Sequence, residues 1–303
     1  MTMHQPRSDA PPPPARRHDD AGEGDAALPA VLGALAVFTS PGRLQDEHLA
    51  AAAGDLLAAE RFRTTTGLLT RRDPGLSLDD AYRIQWTNVQ RKLAAGARIA
   101  GHKVGLTSLA MQQQIGVDQP DSGVLMDDML LASGSNLYLG DLVMPRVEAE
   151  IAVRLSTDLQ GPDIDAPTVR AAVGELLLAL EVIDTRYGEW RMTLQDSVAD
   201  NAAAARAVLG PGTRLHPDLD LGSVEVCVRV DDDVVVSAPG SAVLGNPLNS
   251  VVWLLRQLAR HGAGLRRGDL VLTGAVHASL PLRPGTVIEA SSPHLPAVSI
   301  RAV

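Results

Sequence analysis

Two glutamates two residues apart, in the run Pro145-Arg146-Val147-Glu148-Ala149-Glu150-Ile151-Ala152-Val153, are the residues of this chain best placed to do chemistry. On a β-strand successive side chains point to opposite faces, so Glu148 and Glu150 project from one side. A third carboxylate, Glu181, stands in the apolar stretch Ala179-Leu180-Glu181-Val182-Ile183-Asp184, where an unpaired charge is costly to bury. Three such oxygens brought together suit a hard divalent cation such as Mg²⁺ or Mn²⁺, with open positions left for the oxygens of a small molecule. The pattern has a second meaning. Ile151, Val153 and Leu155 alternate with the glutamates as in a half-buried strand whose acidic side simply faces water.

Other polar residues carry the same double reading. Lys103, between glycines in Gly101-His102-Lys103-Val104-Gly105, can orient an anion or move protons when desolvated, or can be a surface lysine in a glycine loop. Asp121, in Gln119-Pro120-Asp121-Ser122-Gly123, reads by default as a turn residue bonding local backbone. His277, in Thr273-Gly274-Ala275-Val276-His277-Ala278-Ser279, follows a strand where loops commonly build sites, which makes it a candidate substrate contact. His102 reads as structural or surface, and Tyr187 and Trp190 as packing.

The elements that must position these groups are short and mixed. Arg43 to Arg63 has the Ala/Leu/Glu content of a helix, and Ser77-Leu78-Asp79-Asp80 has the form of a capping box opening a helix that runs to Gly96. Residues 108 to 115 predict a short helix capped by Ser108 and closed by Gly116. Gly161-Pro162-Asp163 predicts a turn, after which Thr168 to Leu178 reads helical before the Glu181 stretch straightens. Val224 to Val230 and Val234 to Ser237 form a hairpin pattern around Asp231-Asp232-Asp233, an acidic triplet better explained as a solvated turn than as a metal loop. Asn246 as cap and Pro247 at the first position open a helix reaching His261. Leu270 to Thr273 and Val287 to Glu289 read as late strands. With no regular βαβ alternation, the order fits an α+β domain.

Gly101 to Ser108, Gln119 to Gly123, the Pro-Arg-Val-Glu-Ala-Glu run, Asp196-Ser197-Val198-Ala199-Asp200-Asn201 and Gly245-Asn246-Pro247-Leu248-Asn249 follow one another in a fixed order. Together they resemble the 2-keto-4-pentenoate hydratase and 4-oxalocrotonate decarboxylase family of the fumarylacetoacetate hydrolase superfamily, from about Ala50 to Val303. The resemblance implies a curled mixed β-sheet, a β-roll or distorted barrel, with helices outside it. It implies Glu148, Glu150 and Glu181 as ligands of Mg²⁺ or Mn²⁺ and Lys103 with Asp121 as the acid/base pair. Arg186 would stand behind Glu181 with Asp200 and Asn201, which would bond either one another's loop or the groups that hold Glu181 in orientation. The loop with His277 and Ser279 would shape the far end of the substrate. The implied ligand is a 2-oxo or 2-hydroxydienoic acid. The implied reaction is addition of water to 2-hydroxypenta-2,4-dienoate, or a close analogue, giving a 4-hydroxy-2-oxo acid; the stretches Gly245 to Leu254 and Leu272 to Ala275 look more like the hydratase branch. Two alternatives keep the fold: decarboxylation of an oxalocrotonate-type diacid, and a non-catalytic partner subunit. The latter has no need of three clustered glutamates and Lys103, charges that are hard to bury.

Composition bounds the rest. A chain of 303 residues can bury one large core, read here as one domain, residues 41–303, behind an N-terminal extension, residues 1–40. That extension carries Pro11 to Pro14 and an acidic, glycine-rich run of disordered composition, then an apolar segment from Ala26 to Phe38 too short for a bilayer span. The acidic residues between Arg16-Arg17 and that segment argue against a secretion signal. A net charge of −9 and a pI near 5.3, without basic blocks, argue against nucleic-acid or membrane binding. The single cysteine, Cys227, allows no internal disulfide and fits a core thiol in a reduced compartment. The expectation is a cytoplasmic homo-oligomer, with a possible association with a pathway partner enzyme.

Overall fold

The computed structural model describes residues 46–303. The expected extension, residues 1–40, and its apolar segment therefore lie outside the described residues. Helices α1 (Asp46–Phe62), α2 (Leu69–Arg72) and α3 (Leu78–Ala94) lead into β1 (Ile99–Gly105), α4 (Leu109–Ile115), β2 (Asp121–Met126), β3 (Leu130–Ala132) and β4 (Ser135–Leu137). Then come β5 (Arg146–Leu155), β6 (Leu159–Gln160), α5 (Ala166–Ala172), β7 (Val173–Ile183), α6 (Leu194–Ala199) and β8 (Ala204–Leu209). The chain closes with β9 (Glu225–Val230), β10 (Asp233–Pro239), α7 (Pro247–Ala259), β11 (Gly264–Leu265), β12 (Leu270–Ala275), β13 (Leu280–Pro281), β14 (Val287–Ser291) and β15 (Val298–Ala302).

Local signals explain most boundaries. Ser77 and Asp80 form a reciprocal capping box at the start of α3. Ser108 accepts from the Met111 N–H to open α4, and Gly116, at φ 93°, closes it. Asn246 caps α7, with Pro247 at its first position. One expectation is corrected. The helix expected from Thr168 to Leu178 stops at Ala172, and Val173 onward is strand, because Leu176 to Leu180 pair residue by residue with β5. Pairing to a ten-residue neighbour outweighs the helical propensity of a short Leu/Ala run.

The main sheet runs β2-β1-β12-β5-β7-β8-β3, with β13 added to β5, and curls into a half-barrel. It is mixed: β1 with β12 and β3 with β8 are parallel, and the other pairs antiparallel. A second sheet, β10-β9-β14-β15-β4, packs against one face of it. The odd-numbered residues of β5, Val147 to Leu155, face that second sheet in the largest apolar core, where each fully buried Val or Leu contributes roughly 1.5–3 kcal/mol. The even-numbered face of β5 is covered too. Ala152, Leu177, Ala179, Ala207, Leu270 and Leu272 line it. At the ends of β7 and β12, α1, α3, α4 and α6 form a separate apolar cluster through Leu49, Leu56, Ile84, Met111, Ile115 and Val198, with Ile183 and Ala275. Glu148, Glu150 and Glu181 therefore face no water: 3 %, 0 % and 0 % of their surface is exposed.

Candidate active site

Strand register brings the three glutamates together. Glu148 of β5 lies directly opposite Glu181 of β7, and Glu150 is two residues further along on the same face. One oxygen from each lies within 4.8 Å of the others. Glu148 Oε1, Glu150 Oε1 and both oxygens of Glu181 have no hydrogen-bond donor, although all are buried. Buried acceptors left unpaired are costly, and donorless oxygens of three carboxylates at one point are what a divalent cation with oxygen ligands would satisfy. The second oxygen of Glu150 accepts from the Gly274 N–H at 2.6 Å. Gly274 must be glycine: its φ is 113°, and a Cβ there would collide with the buried Thr107 hydroxyl.

Burial, reinforced by Glu181, pushes the Glu148 carboxyl up to about 8. Burial with the charges of Glu181 and Glu148 raises Glu150 well above the ordinary carboxylate range. Glu181 is raised by burial against the pull of Lys103.

Lys103 on β1 reaches into the same space. Its Nζ donates to the Ala202 carbonyl at 2.9 Å and stands 3.3 Å from Glu181 Oε2. Burial would lower its pKa, but Glu181, Asp121, Glu148 and Glu150 outweigh that and raise it, so the side chain is an ammonium. Of 27 lysines and arginines in the chain, only Lys92 and Lys103 are lysines. A guanidinium holds its protons permanently, whereas an ammonium can give one up.

Asp121 is not a turn residue. It opens strand β2 opposite Gly105 of β1 and is 1 % exposed. Its Oδ2 accepts from the Ser197 hydroxyl at 2.5 Å, while Oδ1 has no donor. A Cβ on Gly105 would overlap Asp121 Oδ1 and sit 2.8 Å from Lys103 Nζ, so the missing side chain leaves the gap between the two groups. Beyond them the pocket wall is apolar: Leu106, Met111, Ile115, Ile183, Trp190 and Met192.

The turn Asn201–Ala203 that supplies the Ala202 carbonyl is left-handed at three successive non-glycine residues, each costing about 1–2 kcal/mol relative to ordinary backbone. Arg186 and Asp200, expected behind Glu181, instead bond each other: the Arg186 N–H and Nε donate to the Asp200 carboxylate at 3.0 and 2.5 Å. Asp200 is raised to about 6 by burial, which outweighs the pull of Arg186. Asn201 bonds the backbone of Val124. None of these hydrogen bonds reaches Glu181.

His277 and Ser279 are engaged elsewhere. Nε2 of His277 accepts from the Ala149 N–H at 3.0 Å, so Nδ1 carries the proton and donates to Ala278 O at 2.7 Å. Burial, against that second bond, lowers its pKa and keeps the ring neutral. The imidazole thus braces β5 between the two glutamates and offers no free nitrogen. Ser279 Oγ accepts from Arg146 Nε at 2.7 Å, and its N–H donates to Gln114 of α4 at 3.0 Å.

Sequence reasoning missed Ser197, Gly105, Gly274 and the wall formed by Met111, Met192 and Trp190. Gly105 had a usable signal, since it lies two residues from Lys103 and so on the same strand face. Ser197 had none.

The model for the fumarylacetoacetate (FAA) hydrolase C-terminal family matches residues 99–302. A 2-keto-4-pentenoate hydratase of Paraburkholderia xenovorans LB400 is 43 % identical over 220 residues, 71 % of this chain and 80 % of that protein. A 2-hydroxypent-2,4-dienoate hydratase of Pseudomonas putida is 38 % identical over 209 residues, 69 % of this chain and 94 % of that protein. Among solved structures, the 4-oxalocrotonate decarboxylase of Pseudomonas putida G7, complexed with magnesium and adipate, superposes with a TM-score of 0.83 at 34 % identity, covering 87 % of this chain and all of that one.

Proposed function

The chain belongs to the fumarylacetoacetate hydrolase family, and on that premise we propose that it is a divalent-metal-dependent hydro-lyase. Its reaction is addition of water to 2-hydroxypenta-2,4-dienoate, or a close analogue, to give a 4-hydroxy-2-oxo acid. The observation that carries this reading is the cluster of three buried carboxylates, each with at least one donorless oxygen, beside Lys103, where Glu148, Lys103 and Asp121 line a pocket whose other wall is apolar.

Glu148, Glu150 and Glu181 would hold Mg²⁺ or Mn²⁺, and the bound cation supplies a Lewis acid for the carboxylate and 2-oxygen of the substrate. The remaining chemistry is assigned to the chain itself. Lys103, held as an ammonium, is the proton donor to the C5 end of the diene. Asp121, with Oδ2 fixed by Ser197 and Oδ1 free, takes a proton from the water that adds at C4. As Lys103 protonates C5 the 2-hydroxyl gives up its proton, which restores the ammonium and leaves an unsaturated 2-oxo acid; the water then delivers hydroxide equivalent to C4, and its other proton passes from Asp121 through Lys103, across the gap beside Gly105, to C3. Met111, Ile115, Met192 and Trp190 exclude water from the hydrocarbon end of the substrate.

The apolar wall favours a monoacid over a diacid, since a second carboxylate would be buried without a partner. Arg146, whose guanidinium lies 5.9 Å from the centre of the Trp190 ring, is hydrogen-bonded to Ser279. Decarboxylation of an oxalocrotonate-type diacid is the second reading, favoured by the superposition on a decarboxylase. Purified protein with Mg²⁺ is given 2-hydroxypenta-2,4-dienoate and, separately, the diacid, following loss of diene absorbance and release of CO₂. CO₂ release with negligible consumption of the monoacid would reverse the assignment.

Among the described residues no helix is long and apolar enough to cross a membrane. A cytoplasmic homo-oligomer, with or without a pathway partner enzyme, completes the reading. Exposed Tyr138, Val234 and Val235 are side chains that a contact between copies would cover, and light scattering on purified protein tests it.

A further inference from the structure

The turn after α6 is built against the preferences of its residues. Asn201, Ala202 and Ala203 hold φ of 55°, 50° and 58°. Asparagine visits this region at modest cost, but alanine has no side chain to compensate, and such backbone persists only where its surroundings over-determine it. Here they do. The Val124 N–H donates to Asn201 Oδ1 at 2.8 Å, and Asn201 Nδ2 donates to Val124 O at 2.9 Å, so one amide is riveted to β2 at two points. Gly123 leaves the room this needs, since a Cβ there would stand 2.5 Å from Asn201 O. On the other side Arg186 Nη2 donates to Asp200 O at 2.6 Å.

What the turn presents is the Ala202 carbonyl, 2.9 Å from Lys103 Nζ. A carbonyl oxygen is neutral and cannot take the proton, so it fixes the ammonium without discharging it. Without it, the nearest acceptor is Glu181 Oε2 at 3.3 Å, and a closed ion pair there would draw the ammonium away from the gap beside Asp121 and occupy a carboxylate oxygen of the cluster. We propose that Asn201 is a positioning residue for Lys103: by pinning the left-handed turn to β2, its side-chain amide makes the Ala202 carbonyl the fixed acceptor that aims the ammonium at the reacting end of the pocket. The inference rests on the reading of Lys103 as the proton donor, and its test separates the two.

Because Lys92 and Lys103 are the only lysines, side-chain ¹⁵N-labelled lysine gives two ammonium signals. Lys92, paired with Glu60 at 2.6 Å, lines a cleft with Asp200 and Asn201, and its signal is assigned by its loss in Lys92→Arg. In the full-length Mg²⁺-loaded protein, Asn201→Gly keeps a residue at ease with φ near 55° and removes only the amide bridge. The expected result is a shifted or broadened Lys103 signal and kcat lowered about tenfold with KM within about twofold, as for a misaimed group. A Lys103 signal left at its original position overturns the proposal, whatever kcat does. A displaced Lys103 signal with unchanged kcat supports the positioning and overturns the proton role of Lys103 instead. If Asn201→Gly does not fold, Asn201→Asp, which keeps the acceptor for Val124 N–H and loses the donor to Val124 O, is read in the same way.

Discussion

Loading a cation into the glutamate cluster should expel protons, and the protons can be counted. Without metal, burial and Glu181 hold the Glu148 carboxyl at about 8, and Glu150 is raised well above its ordinary 4.5. Metal ligation requires both ionised. A group with its pKa near 8 is about nine-tenths protonated at pH 7, so close to one proton leaves Glu148 on binding and up to another leaves Glu150. Each displaced proton makes apparent affinity rise about tenfold per pH unit, which predicts a roughly 10- to 100-fold gain for Mg²⁺ between pH 6 and pH 7 and a flatter response above about pH 8. Titration calorimetry in two buffers of different ionisation enthalpy gives the proton count directly. A count near zero with flat affinity across this range would show that the carboxylates are already ionised and would refute the argument from burial. Stability runs the other way. The folded chain holds these protons to higher pH than the unfolded chain, so metal-free protein should lose stability as pH rises from about 4.5 toward 8, and saturating Mg²⁺ should flatten that slope in thermal melts.

Four substitutions probe the parts separately. Glu150→Gln keeps size but removes an anionic ligand, and calorimetry should show Mg²⁺ or Mn²⁺ affinity down at least about tenfold; unchanged affinity would remove Glu150 from the ligand set. Lys103→Met or Asp121→Asn should lower hydration by about 10²–10⁴, the usual range for a lost acid or base, in a diene-absorbance assay. Gly105→Ala places a methyl group between Lys103 Nζ and Asp121 Oδ1. A displacement of about 1 Å there should cost up to about 10²-fold in kcat, while calorimetry should find metal affinity unchanged.

The glutamate spacing was legible because a strand has a side-chain period of two. Whether that face met water was not, since Ile151, Val153 and Leu155 alternate in the same way over a covered face as over a wet one. The decision came from Ala179, Ala207, Leu270 and Leu272 on other strands. Caps at Ser77, Ser108 and Asn246 were readable because their physics is local. The end of α5 was not, because β5 competes for Leu176 to Leu180 from far along the chain. Asp121 has the local sequence of a turn, and only its pairing with Gly105 makes it a strand residue. Nothing in Asn201-Ala202-Ala203 announces three left-handed residues, because the cause is the backbone of Val124, 77 positions away from Asn201.

The direct opposition of Glu148 and Glu181 across β5 and β7 also bears on how the chain avoids mispairing. A slip of one residue between these strands would turn one glutamate to the wrong face, and a slip of two would set Glu148 against an aliphatic residue of β7. Both errors leave many backbone hydrogen bonds intact, so the ladder alone discriminates weakly against them. A cation that binds only when the carboxylates coincide stabilises one alignment and none of its neighbours. Metal availability during synthesis would then act as proofreading for strand register, and refolding in chelator should yield a larger fraction of compact but inactive chains than refolding in Mg²⁺.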